Sequence, residues 1–264
     1  MSPLPLGAGV LPAGARVALV FNPAGRQGRD REVVAFVAHA LGERFGVDVI
    51  APTSASDVEA EARASALVHD AVVVAGGDGT LNRVVNGLAG STTPLGVIPM
   101  GTGNDFARGC GIPPSPADAV RRVLDGRVIP VDLVRVNERV YCTVGLIGVA
   151  SDSALSVARL VAPCSRARGL MRLFGEWSYR VVGFAHLLKP GEISERVAIT
   201  GESGEVLHPP GPVHAVFITN TRLHGGGLEL PIETDSSDGL IEIAVVPRMS
   251  RLRLLWAFAC FAQG

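Results

Sequence analysis

The sequence lacks the features that mark several protein classes. Its formal net charge of −1 at pH 7 provides no positive field, so nucleic acid is not an expected partner. The four cysteines have no CxxC spacing and the six histidines no HExxH pattern, which argues against a zinc site and favours reduced thiols. Mean hydropathy is high, at +0.33, yet no apolar run reaches the roughly 18 residues that a transmembrane helix needs.

The amino-acid composition is typical of a folded protein. Hydrophobic residues make up 47% and charged residues 19% of the 264 positions, which excludes disorder and suffices for one large domain or two modest ones. Residues 1–14 lack the basic start of a signal peptide and are predicted to be a flexible N-terminal segment. We therefore expect a soluble, cytoplasmic protein.

The first half of the sequence alternates strand-like and helix-like stretches. The strand-like stretches are residues 16–21, 47–50, 71–75 and 95–98, and the helix-like ones are residues 29–45, 54–68, 80–89 and 116–125. Ser54 and Ser56 are both candidate N-caps of the second helix. This alternation predicts an α/β domain over residues 15–138, with a parallel sheet between two layers of helices.

The second half has a different pattern. Strand-like stretches with Gly and Pro turns dominate it, at residues 131–136, 140–147, 197–200, 213–220 and 240–246. Residues 151–188 are mostly helical in pattern. We predict a β-rich second domain over residues 139–264 with one helical insertion. The apolar helix start at the end of the sequence suggests that this domain is truncated at its C-terminus.

Glycine-rich loops follow three of the predicted strands of the first domain. They are residues 22–29, Gly76-Gly77-Asp78-Gly79-Thr80 and Gly101-Thr102-Gly103-Asn104-Asp105. Carboxyl ends of parallel strands gather at one edge of a sheet, where glycine lets backbone N–H groups approach an anion. The three loops together predict a phosphate site, although each alone could be a plain turn. No GxxxxGK[ST] or clean GxGxxG motif is present, which disfavours a P-loop protein and a dinucleotide oxidoreductase.

A longer stretch of sequence surrounds these loops. It reads VVVAGGDGTLNRVVNGL over residues 72–88 and LGVIPMGTGNDFARGCGIP over residues 95–113. This stretch closely resembles the diacylglycerol kinase catalytic domain, whose family includes bacterial lipid kinases and, more remotely, sphingosine and ceramide kinases. FNPAGRQGR (21–29), VDLVRVN (131–137) and the Gly-rich, Asp-Gly stretch at 220–246 extend the resemblance. GGDGT alone is shared with NAD kinases and phosphofructokinases, whereas GTGNDFAR is more specific.

The resemblance implies an ATP site and magnesium. Positions that match ATP contacts are Asn22, Pro23, Ala24, Gly25, Thr53, Gly77, Asp78, Gly79, Thr80, Asn82 and Thr102, and the loop residues Gly76, Gly101, Gly103 and Asn104 complete the candidate site. Asp78, Asp105 and Asp132 match carboxylates that organise catalytic Mg²⁺, partly through water. Asp235, Asp238 and Leu240 match a second, structural Mg²⁺ site, with backbone carbonyls from the outer two. An ordinary Asp-Gly turn is the alternative there.

Two positions depart from the family pattern. Arg83 stands where the family usually has Glu, and could alter nucleotide contacts or lie on a solvated face. The late Asp-Gly-Glu segment that supplies the presumed catalytic base does not occur before Gly264. The chain is then either a truncated form, which we favour, or a defective kinase, and its general base is not assigned.

The resemblance therefore implies an ATP-dependent lipid kinase, with diacylglycerol as default acceptor and phosphatidic acid as product. A kinase of soluble substrates related to NAD kinase, or an ATP-binding module without catalysis, are the alternatives. The implied partner is a lipid at a membrane surface, with the protein peripheral at the inner face, and homodimer formation is left open. The amphipathic residues 165–190 could contact an anionic membrane or pack on their own domain. His214 and His224 are expected to be structural or solvent-facing.

Overall fold

The fold is described from a computed structural model, which describes residues 10–22, 29–161, 165, 177–188 and 194–263. The chain forms two compact units. The first contains Met1–Cys142 and Ser236–Gly239, and the second contains Thr143–Asp235 and Leu240–Gly264.

The first unit contains a four-stranded sheet, five helices and a hairpin among its described residues. In chain order they are β1 (Arg16–Phe21), α1 (Arg29–Gly42), β2 (Gly46–Ile50), α2 (Ala55–Val68), β3 (Ala71–Gly76), α3 (Asp78–Leu88), β4 (Leu95–Pro99), α4 (Asp105–Gly109), α5 (Pro116–Leu124), β5 (Val134–Val136) and β6 (Arg139–Tyr141). The sheet is parallel, in the order β2-β1-β3-β4, and β5 pairs with β6 in the antiparallel hairpin.

Apolar side chains alternate between the two faces of this sheet. Val17, Leu19 and Val73 pack on one face against α1 and α5, and Val20 and Val74 on the other against α2 and α3. Both faces are covered, which explains why the strands read as unbroken apolar runs. The predicted α/β fold with a parallel sheet between helices is confirmed.

Local signals in the sequence set the start of α2. Ser54 is its N-cap, since its hydroxyl accepts from the Asp57 N–H and the Asp57 carboxylate accepts from the Ser54 N–H, at 3.3 and 3.0 Å. This reciprocal capping box satisfies two N–H groups that a helix end would otherwise leave unpaired. Of the two candidate caps, Ser54 is the residue that serves.

The second unit is built on antiparallel strands. Its described elements are β7 (Val144–Gly148), α6 (Val149–Val161), α7 (Trp177–Leu188), β8 (Glu195–Thr200), β9 (Val206–Thr219), β10 (Leu223–His224), β11 (Leu228–Glu229), β12 (Glu242–Pro247) and α8 (Arg251–Gln263). The sheet runs β12-β9-β7 with β8 also on β9, and β10 pairs with β11. The β-rich character predicted for this half is confirmed.

The boundary region differs from the sequence expectation. The single strand expected over 140–147 is two strands, because β6 pairs with β5 in the first unit and β7 pairs with β9 in the second. Residues 139–142 thus belong with the first unit rather than with the domain expected from residue 139. The strand expected over 131–136 begins only at Val134, since the backbone of Asp132 bonds to Ser236.

Among the described residues, no helix has the length and apolar character needed to cross a membrane. The amphipathic stretch 165–190 is described only at Ser165 and in α7. The predicted membrane contact depends on four arginines of this stretch; Arg166, Arg168 and Arg172 lie outside the described residues, and Arg180 lies in α7.

Candidate functional site

The turn from β3 into α3 presents an uncapped helix start. Gly77 is the N-cap of α3, and no side chain caps it. The Thr80 and Leu81 N–H groups bond back to the Gly77 carbonyl at 3.0 Å each, which leaves the preceding N–H groups of the first turn without helical partners. Such a start, with its positive dipole end, suits a phosphate oxygen.

The second glycine loop packs directly against the first. The Met100 N–H donates to the Gly76 carbonyl at 2.9 Å. A methyl group added to Gly77 would lie 2.8 Å from the Gly101 Cα, and one added to Gly101 would lie 2.5 Å from the Gly77 Cα. Neither distance is tolerable for a real side chain, so the close approach of the two backbones requires glycine at both positions. The structure thus brings two of the three predicted loops together.

Asp78 links the two loops through its carboxylate. Its Oδ1 accepts from the Phe106 N–H at 3.3 Å, which holds Asp78 beside the first turn of α4. Within the described part of the chain, Asp78 Oδ2 has no hydrogen-bond partner. Asp105, the first residue of α4, is 8% exposed. Two of the three predicted carboxylates therefore lie at the same junction.

Asn104 braces the loop that contains Gly101. Its Oδ1 accepts from the Gly101 N–H at 2.8 Å, and its Nδ2 donates to the Gly101 carbonyl at 3.0 Å. Asn104 has φ 51° and ψ 43°, a left-handed conformation that asparagine tolerates better than most residues. Asn104 was predicted as an ATP contact, and the structure gives its side chain a loop-forming role.

Asp132 is tied to a distant part of the chain. Its N–H donates to the Ser236 carbonyl at 2.7 Å, and its Oδ2 accepts from the Gly239 N–H at 2.7 Å. No three His, Cys, Asp or Glu side chains of the described residues form a group arranged to hold a metal ion. A magnesium role for Asp132 with Asp78 and Asp105 stays a prediction.

The other predicted ATP contacts have mixed placements. Pro23, Ala24 and Gly25 lie outside the described residues, and Asn22 follows β1, half-buried. Among the residues predicted to contact ATP or to complete its site, four are exposed, namely Thr53, Gly79, Asn82 and Thr102. Three are half-buried, namely Gly76, Thr80 and Gly103. The Thr53 hydroxyl donates to Asp57 at 2.8 Å, beside the N-cap of α2. Arg83 is exposed on α3.

The segment predicted to hold a structural magnesium is a turn on the surface. Residues 236–239 turn back to Asp132, and Gly239 has φ +77°. Asp235, Asp238 and Leu240 are exposed, Leu240 at 64%. Both a magnesium site and a plain Asp-Gly turn are compatible with this, so the prediction stays open.

Sequence reasoning missed a buried amide that fixes α3. Asn86 donates to the Val140 carbonyl at 2.7 Å and accepts from the Val140 N–H at 3.1 Å. It lies on the buried face of α3 with Val84 and Val85. A polar residue on the apolar face of an amphipathic helix is the signal that could have revealed it.

Two thiols lie beneath the same junction. Burial, with smaller contributions from Cys110 and Asp78, raises the pKa of Cys142 to about 12. Burial also raises the pKa of Cys110, against the effect of a hydrogen bond with Ser236. Both are free thiols, and at neutral pH they are protonated.

The second unit contains an apolar cavity of about 480 Å³. Its walls come from β7, α6, α7, β9, β12 and α8, with Leu146, Ala154, Leu187, Phe217, Val246 and Phe258 among the lining residues. His224 is the titratable side chain that lines it, and it is 5% exposed. Of the two alternatives predicted for His214 and His224, the structural one holds, since both are buried, and His214 bonds through Nε2 to the backbone of Met249.

Comparison with protein families matches residues 16–136 to the diacylglycerol kinase catalytic domain. A diacylglycerol kinase of Mycobacterium tuberculosis is 33% identical over 228 residues, which are 83% of this chain and 69% of the relative. A probable YegS-like lipid kinase of Klebsiella pneumoniae is 34% identical over 180 residues, 67% of this chain and 56% of the relative.

Solved structures show the same fold. A putative diacylglycerol kinase from Bacillus anthracis superposes with a TM-score of 0.75 at 23% identity, covering 93% of this chain and 80% of that one. A diacylglycerol kinase structure from the same organism has a TM-score of 0.72 at 25% identity, covering 94% and 78%.

Proposed function

Because the chain belongs to the diacylglycerol kinase catalytic-domain family, we propose that it transfers the γ-phosphoryl group of ATP to a lipid hydroxyl. Diacylglycerol is the default acceptor and phosphatidic acid the product. The observation that carries the proposal is the contact of Gly77 with Gly101 beside the carboxylate of Asp78.

The junction of the two loops fits a nucleotide triphosphate chemically. The uncapped start of α3 offers N–H groups to phosphate oxygens, and the two glycines leave the backbone accessible. Asp78 and Asp105 are the carboxylates that would hold Mg²⁺, which prefers a few carboxylates together with substrate phosphates. When bound, Mg²⁺ neutralises phosphate charge during phosphoryl transfer. Asp78 would bind the metal ion through Oδ2, while its Oδ1 keeps the hydrogen bond from the Phe106 N–H.

The apolar cavity of the second unit supports a lipid as the acceptor. A cavity of about 480 Å³ with walls of aliphatic and aromatic side chains suits an acyl chain. Burial of each methylene contributes about 0.8 kcal/mol to binding. Since such lipids reside in membranes, the protein works at a membrane surface, which predicts that it sediments with lipid vesicles. Whether it does so as a homodimer is a question for sedimentation velocity.

The reaction is tested with radiolabelled ATP, Mg²⁺ and mixed micelles of diacylglycerol, with NAD⁺ as a soluble acceptor in a parallel sample. Label in the lipid supports the proposal. Label in NAD⁺ would replace the lipid with a soluble substrate. ATP binding without transfer to either would indicate a binding module without catalysis.

Two variants of Asp78 separate its charge from its loop contact. Asp78→Asn keeps an oxygen for the Phe106 N–H but removes the charge, and Asp78→Ala removes both. We expect Asp78→Asn to weaken Mg²⁺-dependent ATP binding about 10- to 100-fold in calorimetry, with an unchanged melting temperature. Equal ATP binding by Asp78→Asn and the wild type would exclude Asp78 from the metal site.

A further inference from the structure

The polar side chain of His224 lines the cavity of the second unit, and binding of an acyl chain gives it no role. His224 is buried between two rings, with centroid distances of 5.1 Å to Phe217 in an edge arrangement and 5.5 Å to Phe261 in a stacked one. These contacts fix the plane of the imidazole. Its Nδ1 is buried and has no hydrogen-bond partner among the residues that the structure describes.

The ring of His224 also lies next to the backbone of its own hairpin. His224 and Leu228 are opposed residues of the β10–β11 hairpin, and the ring bonds to the Leu228 backbone. Burial lowers the pKa of His224 to about 4, and the bond to Leu228 acts in the raising direction, as a carbonyl accepting from the ring does. The imidazole is therefore neutral, and the ring nitrogen that does not carry the proton presents a lone pair.

The hairpin turn holds this arrangement in place. Gly225, Gly226 and Gly227 connect the two strands with φ of 57°, 82° and 94°. Three consecutive left-handed residues are accessible to glycine and strained for other residues. The three glycines thus permit the tight turn that sets His224 opposite Leu228 in the hairpin.

We propose that His224, with its proton on Nε2, determines lipid specificity by accepting, at Nδ1, a hydrogen bond from a hydroxyl or amide N–H of the lipid in the cavity. This inference rests on the proposed lipid kinase function, and it names a feature of the substrate. A buried acceptor without a donor is costly, so a lipid that brings a donor binds more tightly than one that does not. The preferred lipid then carries a donor in addition to the hydroxyl that is phosphorylated; a monoacylglycerol has such a donor, whereas diacylglycerol has none and should bind less tightly.

The test compares two lipids that differ only in this donor. They are a 1-monoacylglycerol and its 2-deoxy analogue, which is the 1,3-propanediol monoester of the same fatty acid. Dissociation constants are measured without ATP, by displacement of a fluorescent fatty acid from the protein. We expect the wild type to bind the hydroxyl lipid about fivefold more tightly, the value of one neutral hydrogen bond.

Two variants identify the acceptor. His224→Phe keeps an aromatic ring and removes the nitrogen, so the two lipids should bind equally. His224→Asn places an oxygen on Cγ, where the histidine has Nδ1, and should restore the preference for the hydroxyl lipid. Circular dichroism and melting curves establish that both variants are folded.

Several results would overturn the proposal. The wild type could bind both lipids equally, which would leave Nδ1 to a water molecule, or His224→Phe could keep the fivefold preference. Because the measurement needs no phosphoryl transfer, failure of the kinase assay with a preserved preference would reject the proposed reaction and not the role of His224. If neither lipid displaces the probe, both proposals fail.

Discussion

The carboxylate of Asp132 accepts a hydrogen bond from the backbone N–H of Gly239, at 2.7 Å, across 107 residues of sequence. The Asp132 N–H completes the connection by donating to the Ser236 carbonyl at 2.7 Å. A residue matched to a magnesium carboxylate is therefore also the anchor of a returning turn. Its substitution has a structural effect that can be measured apart from any metal.

Removal of this carboxylate should loosen the turn. We expect Asp132→Ala to lower the free energy of unfolding by about 1 kcal/mol and to speed hydrogen exchange at the Gly239 amide. Asp132→Asn keeps an acceptor oxygen and should retain most of the protection. Exchange measured by mass spectrometry decides this, and equal protection of Gly239 in all three proteins would contradict the anchoring role.

A methyl group between the two glycine loops should separate them. Gly101→Ala would place Cβ 2.5 Å from the Gly77 Cα and 2.8 Å from Asn104 Oδ1. Overpacking of this kind costs about 1–3 kcal/mol, and we expect at least tenfold weaker ATP binding as well. Calorimetry with ATP and thermal melting measure the two effects. Gly42→Ala is the control, since a methyl group there meets nothing within 4 Å.

Acid should destabilise the fold through His224. Its pKa falls from 6.5 to about 4 on folding, so between these values the unfolded chain binds more protons than the folded one. The contribution is complete above pH 6.5 and is lost as the pH falls to about 4, with a total of roughly 3 kcal/mol. Urea unfolding across this pH range measures it. His224→Phe should show a correspondingly shallower pH dependence, and an identical slope would contradict the prediction.

Loss of the N-cap of α2 should lower the free energy of unfolding. Ser54→Ala removes the hydroxyl that accepts from the Asp57 N–H, and should cost about 1 kcal/mol in chemical denaturation. Ser56→Ala is the comparison within the same turn; it removes the bond between the two serine hydroxyls, at 2.7 Å, but leaves the bond from the Asp57 N–H to Ser54, so its expected effect is smaller. A larger loss for Ser56→Ala would mean that the wrong serine was assigned as the cap.

The sequence predicts the parallel sheet well because its strands are buried on both faces. Unbroken apolar runs such as Ala71–Gly76, bounded by turns, leave little choice of structure. Residues 140–147 are also apolar, but a change of strand partner after Cys142 leaves no mark in hydrophobicity. The 14-residue strand Val206–Thr219 contains three prolines in its first half, so only its second half is predicted as a strand.

The sequence predicts those parts of the candidate site that depend on the type of residue, such as the close approach of two glycine loops. Glycine at 77 and 101 indicates close approach, and the structure shows that approach. That Asp78 would bond to the Phe106 N–H, or that Asn104 would hold its own loop, depends on side-chain geometry that residue type does not specify. Resemblance to a family indicates the candidate residues, whereas the structural role of Asn104 follows from its two hydrogen bonds to Gly101.

Between Cys142 and Ser236 the chain leaves the first unit and forms most of the second, which has a consequence for biosynthesis. The first unit is discontinuous, and its last four residues, Ser236–Gly239, are synthesised only after all of Thr143–Asp235. Until then the nascent chain can form the parallel sheet, but Asp132 cannot meet Gly239. A stalled chain released at Cys142 would thus carry every strand of that sheet and still miss the clasp that closes it.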